Sequence, residues 1–431
     1  MMNKNLLAVL VGIGLSFGTT AAEFAPADQE FLGHSAQMTI TPENWDSAEY
    51  AATSFPNAYK YTNHYHISRG LLGSEEPTLS PEVLEQGSQL DFDAIQVTDV
   101  NDSMSLNTFL RDRLKNHSMV VLKDNKIMHE HYWNNMDEHS THLDMSVTKS
   151  FTSMLAAIAV AEGKLDMSKK VIDYLPELKN TAWESATVQE VADMRTSLTI
   201  VATPHKSWDD RMTRSQSWNG DESKAFPNGV ADYMQLVKEV SAPMGSKYSY
   251  QCINTEVLGK VVEKATGENL ADYLESRIWK KVGMENDAYF MSDATGFPVA
   301  SGGLNATTKD LARMGKVLLN NGKNYVGEEV IPEKFIDGLL EGNDEVRSAW
   351  KKSKEAALAD GWYKDQFRVL QIPGRKIIAM VGIHGQVVAM DKETGTVVAM
   401  NGGYPQTETP RMAIMIFYKA LPAIFDAVNK A

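Results

Sequence analysis

Strand-like runs stand near both ends of this 431-residue chain, with helical sequence between them, and that arrangement constrains its folding most. Near the front, Met119–Lys123 and Lys126–Trp133 are largely apolar and are separated by Asp124-Asn125, a hairpin signal. Near the back, Phe367–Ile372, Lys376–Val381, Gln386–Asp391 and Thr396–Asn401 follow closely on one another, the last pair joined by Lys-Glu-Thr-Gly. Both groups fit one antiparallel sheet only if distant segments of the chain meet. The sequence between reads differently. Residues 147–162 carry apolar side chains at helical spacing (Phe151, Met154, Leu155, Ile158) and stop at Gly163. Asn254–Ala265 ends at Gly267, Leu270–Val282 has an apolar face, and Thr307–Asn320 has a threonine cap, an early Asp310 and a terminal Gly322. A closing helix is expected over Pro410–Ala427, with Pro422 a candidate kink. The expected class is therefore α+β: an antiparallel sheet flanked by helices, with a mainly helical subdomain, roughly residues 165–365, inserted in it. A cleft between the two is the expected place for a site.

Residues 1–22 stand apart. Lys4 precedes the apolar run Leu6–Phe17, and Thr20-Ala21-Ala22 offers small residues for cleavage. That order is a secretory signal, too short and wrongly flanked for a membrane span. The expectation is a periplasmic or secreted protein whose mature chain has no stable membrane insertion. Residues 23–95, rich in Tyr, Pro and Gly, read as an irregular N-terminal arm.

The formal net charge is −14, and losing Lys4 makes the mature chain −15. An acidic chain without a basic run is a poor partner for nucleic acid. Cys252 is the only cysteine, so no intramolecular disulfide can form, and it reads as a small buried residue. His129-Glu130-His131 places two imidazoles on one face of a strand, and His139 and His142 lie nearby. A zinc hydrolase needs a third placed ligand and an open position, which no spacing here demands. No metal and no cofactor is assigned.

Ser146-Val147-Thr148-Lys149 carries the chemistry. On a helix, residues three apart share a face, so the amine of Lys149 can lie beside the Ser146 hydroxyl and take its proton. Ser-x-x-Lys arises by chance about once or twice in a chain this long, and Ser348-Ala349-Trp350-Lys351 is a second match, read as solvated surface. The first match opens an apolar helix. There the backbone N–H of Ser146 is an unpaired donor able to hold an oxyanion, and burial of Lys149 would lower its pKa.

Two further elements follow in order. Tyr250 precedes Asn254-Thr255-Glu256-Val257-Leu258-Gly259, with Tyr248 as the alternative tyrosine, and Gly382-Ile383-His384-Gly385-Gln386 lies on a late strand. With Ser146 and Lys149 these resemble the serine β-lactamase-like family of penicillin-binding proteins, class C β-lactamases, esterases and amide hydrolases. The resemblance runs over roughly residues 100–425 and implies a hydrolase domain over 96–431. It implies Ser146 as nucleophile, Lys149 and Tyr250 in proton transfer, and the backbone N–H groups of Ser146 and Ile383 as oxyanion hole. Gly382, His384 and Gly385 become substrate-binding candidates, His384 lining the cleft rather than completing a triad.

Two departures matter. Cys252 replaces the asparagine of the family's Tyr-x-Asn triplet, and the lysine of its Lys-Thr-Gly strand is absent. That lysine anchors the carboxylate of β-lactams and stem peptides. The runs Tyr250–Leu258, Ser301–Gly315 and Gly382–Gln386 are similar instead to the branch of 6-aminohexanoate-dimer hydrolases and carboxylesterases. The expected function is hydrolysis of a small amide or ester through an acyl-enzyme on Ser146. The alternatives are a D-Ala-D-Ala carboxypeptidase or β-lactamase, or a non-catalytic binder of cell-wall peptides on the same fold. Residues 203–228 match nothing in the family and read as a long polar loop; oligomeric state stays open. N-terminal sequencing of the exported protein should begin near Glu23, and retention of Met1 would count against export.

Overall fold

The computed structural model describes residues 21–35, 39–70, 78–201, 208–405 and 410–431. The apolar run of the expected signal lies outside the described residues. The large sheet forms as the strand pattern predicts. Its order is Gly361–Lys364, Phe367–Ile372, Arg375–Gly382, Gln386–Asp391, Thr396–Gly402, Asn116–Lys123, Lys126–Tyr132 and Glu85–Gln86. The distant ends meet where Thr396–Gly402 pairs antiparallel with Asn116–Lys123, Val398 opposite Val121. Only the short edge strand Glu85–Gln86 runs parallel to its neighbour. The fold class is α+β.

Helices cover both faces of this sheet because its strands are apolar on both sides. One face carries Thr308–Leu319, capped by Thr307, whose hydroxyl accepts from the N–H of Asp310. Gly315 lets that helix approach closely, since a Cβ there would lie 2.6 Å from Val397 Cγ1. The other face carries the C-terminal helix. It is α over Pro410–Met415, widens to a π-turn over Ile416–Ala420 and resumes over Leu421–Val428. Pro422 falls just after the π-turn, which takes up its missing N–H without ending the helix.

A second sheet escaped the sequence pattern. Glu23–Ala25, His64–Ile67, Ala288–Met291, Leu304–Thr307 and Thr141–Leu143 pair antiparallel in that order. Each has three or four residues, too few for a period-two signal. Two of these strands come from the segment read as an irregular arm, so that segment is built into the fold. Its aromatic residues Trp45, Phe55 and Tyr61 are fully or nearly fully buried, in one cluster with Leu143 and Met145. Trp45 stacks on Tyr61 at 5.7 Å and donates its indole N–H to the Trp218 carbonyl at 2.9 Å.

The 165–365 stretch holds short helices such as Val171–Tyr174, Val188–Ala192 and Val230–Met234 around the long helix Cys252–Thr266, which ends at Gly267 with φ +75°. It also holds two strands of the small sheet. The polar 203–228 segment is not a plain loop: its described part includes the helix Asp210–Ser215.

Trp45 thus ties the N-terminal segment to the 208–219 segment. Trp45→Ala should cost about 3–5 kcal/mol in urea unfolding, because it opens a cavity and strands the Trp218 carbonyl. A loss below about 1 kcal/mol would contradict this packing.

Candidate active site

Ser146 lies on a tight turn between the strand Thr141–Leu143 and the helix Thr148–Ala161. The turn Met145–Val147 is 3-10, and Met145 adopts φ +48°, a left-handed conformation uncommon for a branchless non-glycine residue. From Asp144 to Ser153 the side chains are buried except that of Ser146, which is half-buried. The turn therefore presents one hydroxyl from a buried segment. Asp144, just before it, is fully buried, and burial pushes its carboxyl well above the usual carboxylate range.

Lys149 is 1% exposed, on the first turn of the helix. Its Nζ donates to Ser146 Oγ at 2.7 Å and to the Ser301 carbonyl at 2.6 Å. Its ammonium also lies 5.2 Å from the centre of the Tyr250 ring. Burial alone favours the neutral amine, as the sequence suggested. Cys252 and Tyr250 stand beside it and outweigh burial, so the Lys149 pKa is raised, not lowered. The resting amine is a cation. Cys252, half-buried, contributes to the site because it opens the helix Cys252–Thr266 and faces Lys149, where the sequence suggested only a small packing residue.

The two tyrosines have different neighbours. Tyr248 is buried, donates to Glu355 Oε1 at 2.7 Å and stacks on Tyr363 at 4.9 Å. Tyr250 is half-buried and stands over Lys149. Of the two, only Tyr250 is drawn to the Ser146–Lys149 pair.

The late strand arrives from the opposite side. Gly382 ends Arg375–Gly382 against the Met145–Val147 turn: a Cβ there would lie 2.8 Å from the Asp144 carbonyl and 3.1 Å from Met145 Cβ. The missing side chain brings Ile383 next to Met145-Ser146. Gln386 holds the following turn, donating to the carbonyls of Ile383 at 3.1 Å and Gly402 at 2.8 Å. Gly385 completes the turn at φ +96°. His384 is buried, donates from Nδ1 to the Tyr404 carbonyl at 2.7 Å and packs edge-on to Phe55 at 5.3 Å. Burial lowers its pKa, leaving it neutral.

Other histidines are tied to their own neighbours. His117 donates from Nδ1 to His142 Nε2 at 3.0 Å, since His142 Nδ1 is bonded to the Leu143 carbonyl. His129 and His131 meet at 2.9 Å, and His131 Nε2 reaches Asn116 Oδ1.

Several site residues gave no sequence signal of their role. The Ser301 carbonyl acts through the backbone, which side-chain motifs do not register. Trp218, Asp46 and Trp45 come together from segments far apart: Trp218 donates to Asp46 Oδ2 at 3.0 Å, and with Ile383 it packs on the Trp45 cluster. The 208–219 segment therefore forms a wall beside Ile383.

A family model described as Beta-lactamase matches residues 107–418, well over half of the chain. The chain belongs to the beta-lactamase family. Among its relatives, a 6-aminohexanoate-dimer hydrolase of Paenarthrobacter ureafaciens is 27% identical over 295 residues, covering 68% of this chain and 74% of that one. A beta-lactamase of Providencia stuartii is 29% identical over 142 residues, covering 33% of this chain and 32% of that one. A solved Bacillus anthracis structure assigned as a 6-aminohexanoate-dimer hydrolase superposes with a TM-score of 0.77 at 24% identity, covering 91% of this chain and 98% of that one. This beta-lactamase family member is a serine hydrolase.

The contrast between the tyrosines is testable. Tyr250→Phe should lower hydrolysis by about a hundredfold or more with little change in unfolding midpoint. Tyr248→Phe should cost about 1–3 kcal/mol of stability and keep turnover, because it leaves Glu355 one donor short. The reverse pattern, by parallel kinetics and urea unfolding, would exchange their roles.

Proposed function

We propose that this protein is an exported hydrolase of small amides or esters that works through an acyl-enzyme on Ser146. The contact that carries the reading is Lys149 Nζ at 2.7 Å from Ser146 Oγ, with Tyr250 over the same amine. Ser146 Oγ attacks the carbonyl carbon, and its proton passes into the Lys149–Tyr250 pair after that pair has lost one proton. The backbone N–H groups of Ser146 and Ile383 hold the negative oxygen. Collapse breaks the bond to the amine or alcohol, which leaves with the proton from Tyr250. Water then adds to the acyl carbon, gives its proton to the pair and releases the acid, restoring Ser146.

The substrate class follows from the late strand. The place of the family's anchoring lysine is taken by Met380, which is fully buried, so no side chain there can bind a substrate carboxylate. An uncharged acyl group fits this better than a β-lactam or a D-Ala-terminated peptide. The P. ureafaciens relative and the B. anthracis structure both point toward the amide-hydrolase branch. Export rests on residues 1–22 as a cleaved signal, followed by residues 23–95 and a hydrolase domain over 96–431. The strand Glu23–Ala25 begins where the mature chain is expected to begin. Among the described residues, no helix is long and apolar enough to cross a membrane.

Short p-nitrophenyl esters and 6-aminohexanoate dimer should be turned over, nitrocefin should not, and fluorescent penicillin should leave the protein unlabelled. Ser146→Ala should abolish turnover and labelling by a serine-directed phosphonate. Unchanged activity in that variant would reject the nucleophile, and strong penicillin labelling would move the protein to the penicillin-binding branch.

A further inference from the structure

Glu256 is a fully buried carboxyl that the mechanism above does not use. It lies on the helix Cys252–Thr266, six residues after Tyr250. Three N–H donors and the Ser301 hydroxyl bond it. Gln216 Nε2 reaches Oε1 at 2.6 Å, the Ser301 N–H reaches Oε1 at 3.0 Å, and the Ala300 N–H reaches Oε2 at 3.1 Å. The carbonyls of the same two residues serve the nucleophile helix instead. Ala300 accepts from Thr152 Oγ1 at 2.8 Å, and Ser301 accepts from Lys149 Nζ at 2.6 Å. The Ala300–Ser301 backbone is thus clamped between Glu256 and the helix that carries Lys149. Gln216 extends the clamp, since its amide also lies 3.3 Å from Ser301 Oγ and its segment continues into Trp218 on the Trp45 cluster.

We propose that Glu256 is a positioning residue for Lys149: it holds the turn whose Ser301 carbonyl fixes the amine against Ser146, and joins that turn through Gln216 to the 208–219 wall. The inference rests on the reading of Ser146 and Lys149 given above. Glu256 touches no reacting atom.

The complete clamp needs an ionised carboxylate, because four donors, the Ser301 hydroxyl among them, fill the lone-pair sites of its two oxygens. Burial pushes the Glu256 carboxyl up to about 7, against hydrogen bonds from Ser301 and the charge of Lys149. The charged and titratable groups facing it are few. The nucleophile helix brings Lys149, and the first turn of Glu256's own helix brings Cys252, with Tyr250 just before it. The Ala300–Ser301 turn and the 208–219 segment present the neutral Ser301 and Gln216, while Asp209 and Arg211 of that segment are paired with each other. The carboxylate is therefore complete above about pH 7. As pH falls through that value a proton occupies one acceptor site, displaces a donor and loosens the hold on the Ala300–Ser301 turn. The raised pKa of Lys149 gives a separate slope, activity rising as pH climbs into the alkaline range. Log kcat against pH should carry this slope and steepen below about pH 7.

The experiment uses the full mature chain, a p-nitrophenyl ester read at the isosbestic wavelength of nitrophenol, and thermal melts beside the kinetics. Glu256→Gln should lower kcat at alkaline pH by about 30–100-fold, leave KM within about threefold and abolish the steepening. Gln216→Met leaves the carboxyl in place but removes one of its donors, so its break should move about half to one unit upward. An unmoved break in Gln216→Met, or a wild-type profile in Glu256→Gln, overturns the proposal; so does a change confined to KM. If Glu256→Gln does not fold, the Gln216→Met profile decides alone. Phosphonate labelling of Ser146 in the wild type keeps the two readings separate. No labelling sinks the site itself, whereas labelling with an unmoved break sinks only the role of Glu256.

Discussion

A buried ammonium beside a hydroxyl is the constraint around which this structure is arranged. Lys149 is 1% exposed, and a charge so placed persists only where hydrogen bonds and nearby polar groups replace water. Ser146 Oγ and the Ser301 carbonyl supply the bonds, while Tyr250 and Cys252 face the amine. These groups come from three separate segments. The helix Thr148–Ala161, the Ala300–Ser301 turn and the helix Cys252–Thr266 must therefore stay in fixed register for the cation to be tolerated at all.

The surrounding architecture serves that register. The large sheet brings Gly382 against the Met145–Val147 turn, and only the lack of a Cβ there allows the approach. The small sheet fixes the start of the turn through Thr141–Leu143, which pairs with Leu304–Thr307 just after Ser301. The aromatic cluster of Trp45, Phe55 and Tyr61 then supports Met145, Ile383 and Trp218 from behind. The N-terminal segment and the turn that carries Ser146 therefore share one packed cluster.

Much of the frame was legible because its elements are long. Strands of six to eight residues and helices of twelve to fifteen repeat their apolar positions often enough to be read, and Thr307, Gly163 and Gly267 mark helix ends chemically. The five-stranded sheet was not legible, since each strand has three or four residues and its partners lie far away in sequence. The upward direction of the Lys149 pKa is not legible in the sequence for a related reason. Burial can be inferred from apolar neighbours in sequence, but the polar neighbours that outweigh it, Cys252 and Tyr250, arrive from the start of another helix and the residues just before it.

By itself the sequence determined which residue types were available and in what order: a Ser-x-x-Lys at a helix start, a tyrosine before a second helix, a glycine at the end of a late strand and a methionine, not a lysine, two residues ahead of it. Local spacing is enough for that, because i and i+3 on one helix meet whatever else the chain does. The tertiary structure decided the rest. It separated Tyr250 from Tyr248, turned the Ser301 carbonyl toward Lys149, set Glu256 behind that carbonyl and closed the wall with Trp218. Backbone carbonyls and buried side-chain pairs act only across long sequence separations, so their roles exist only once the chain has folded.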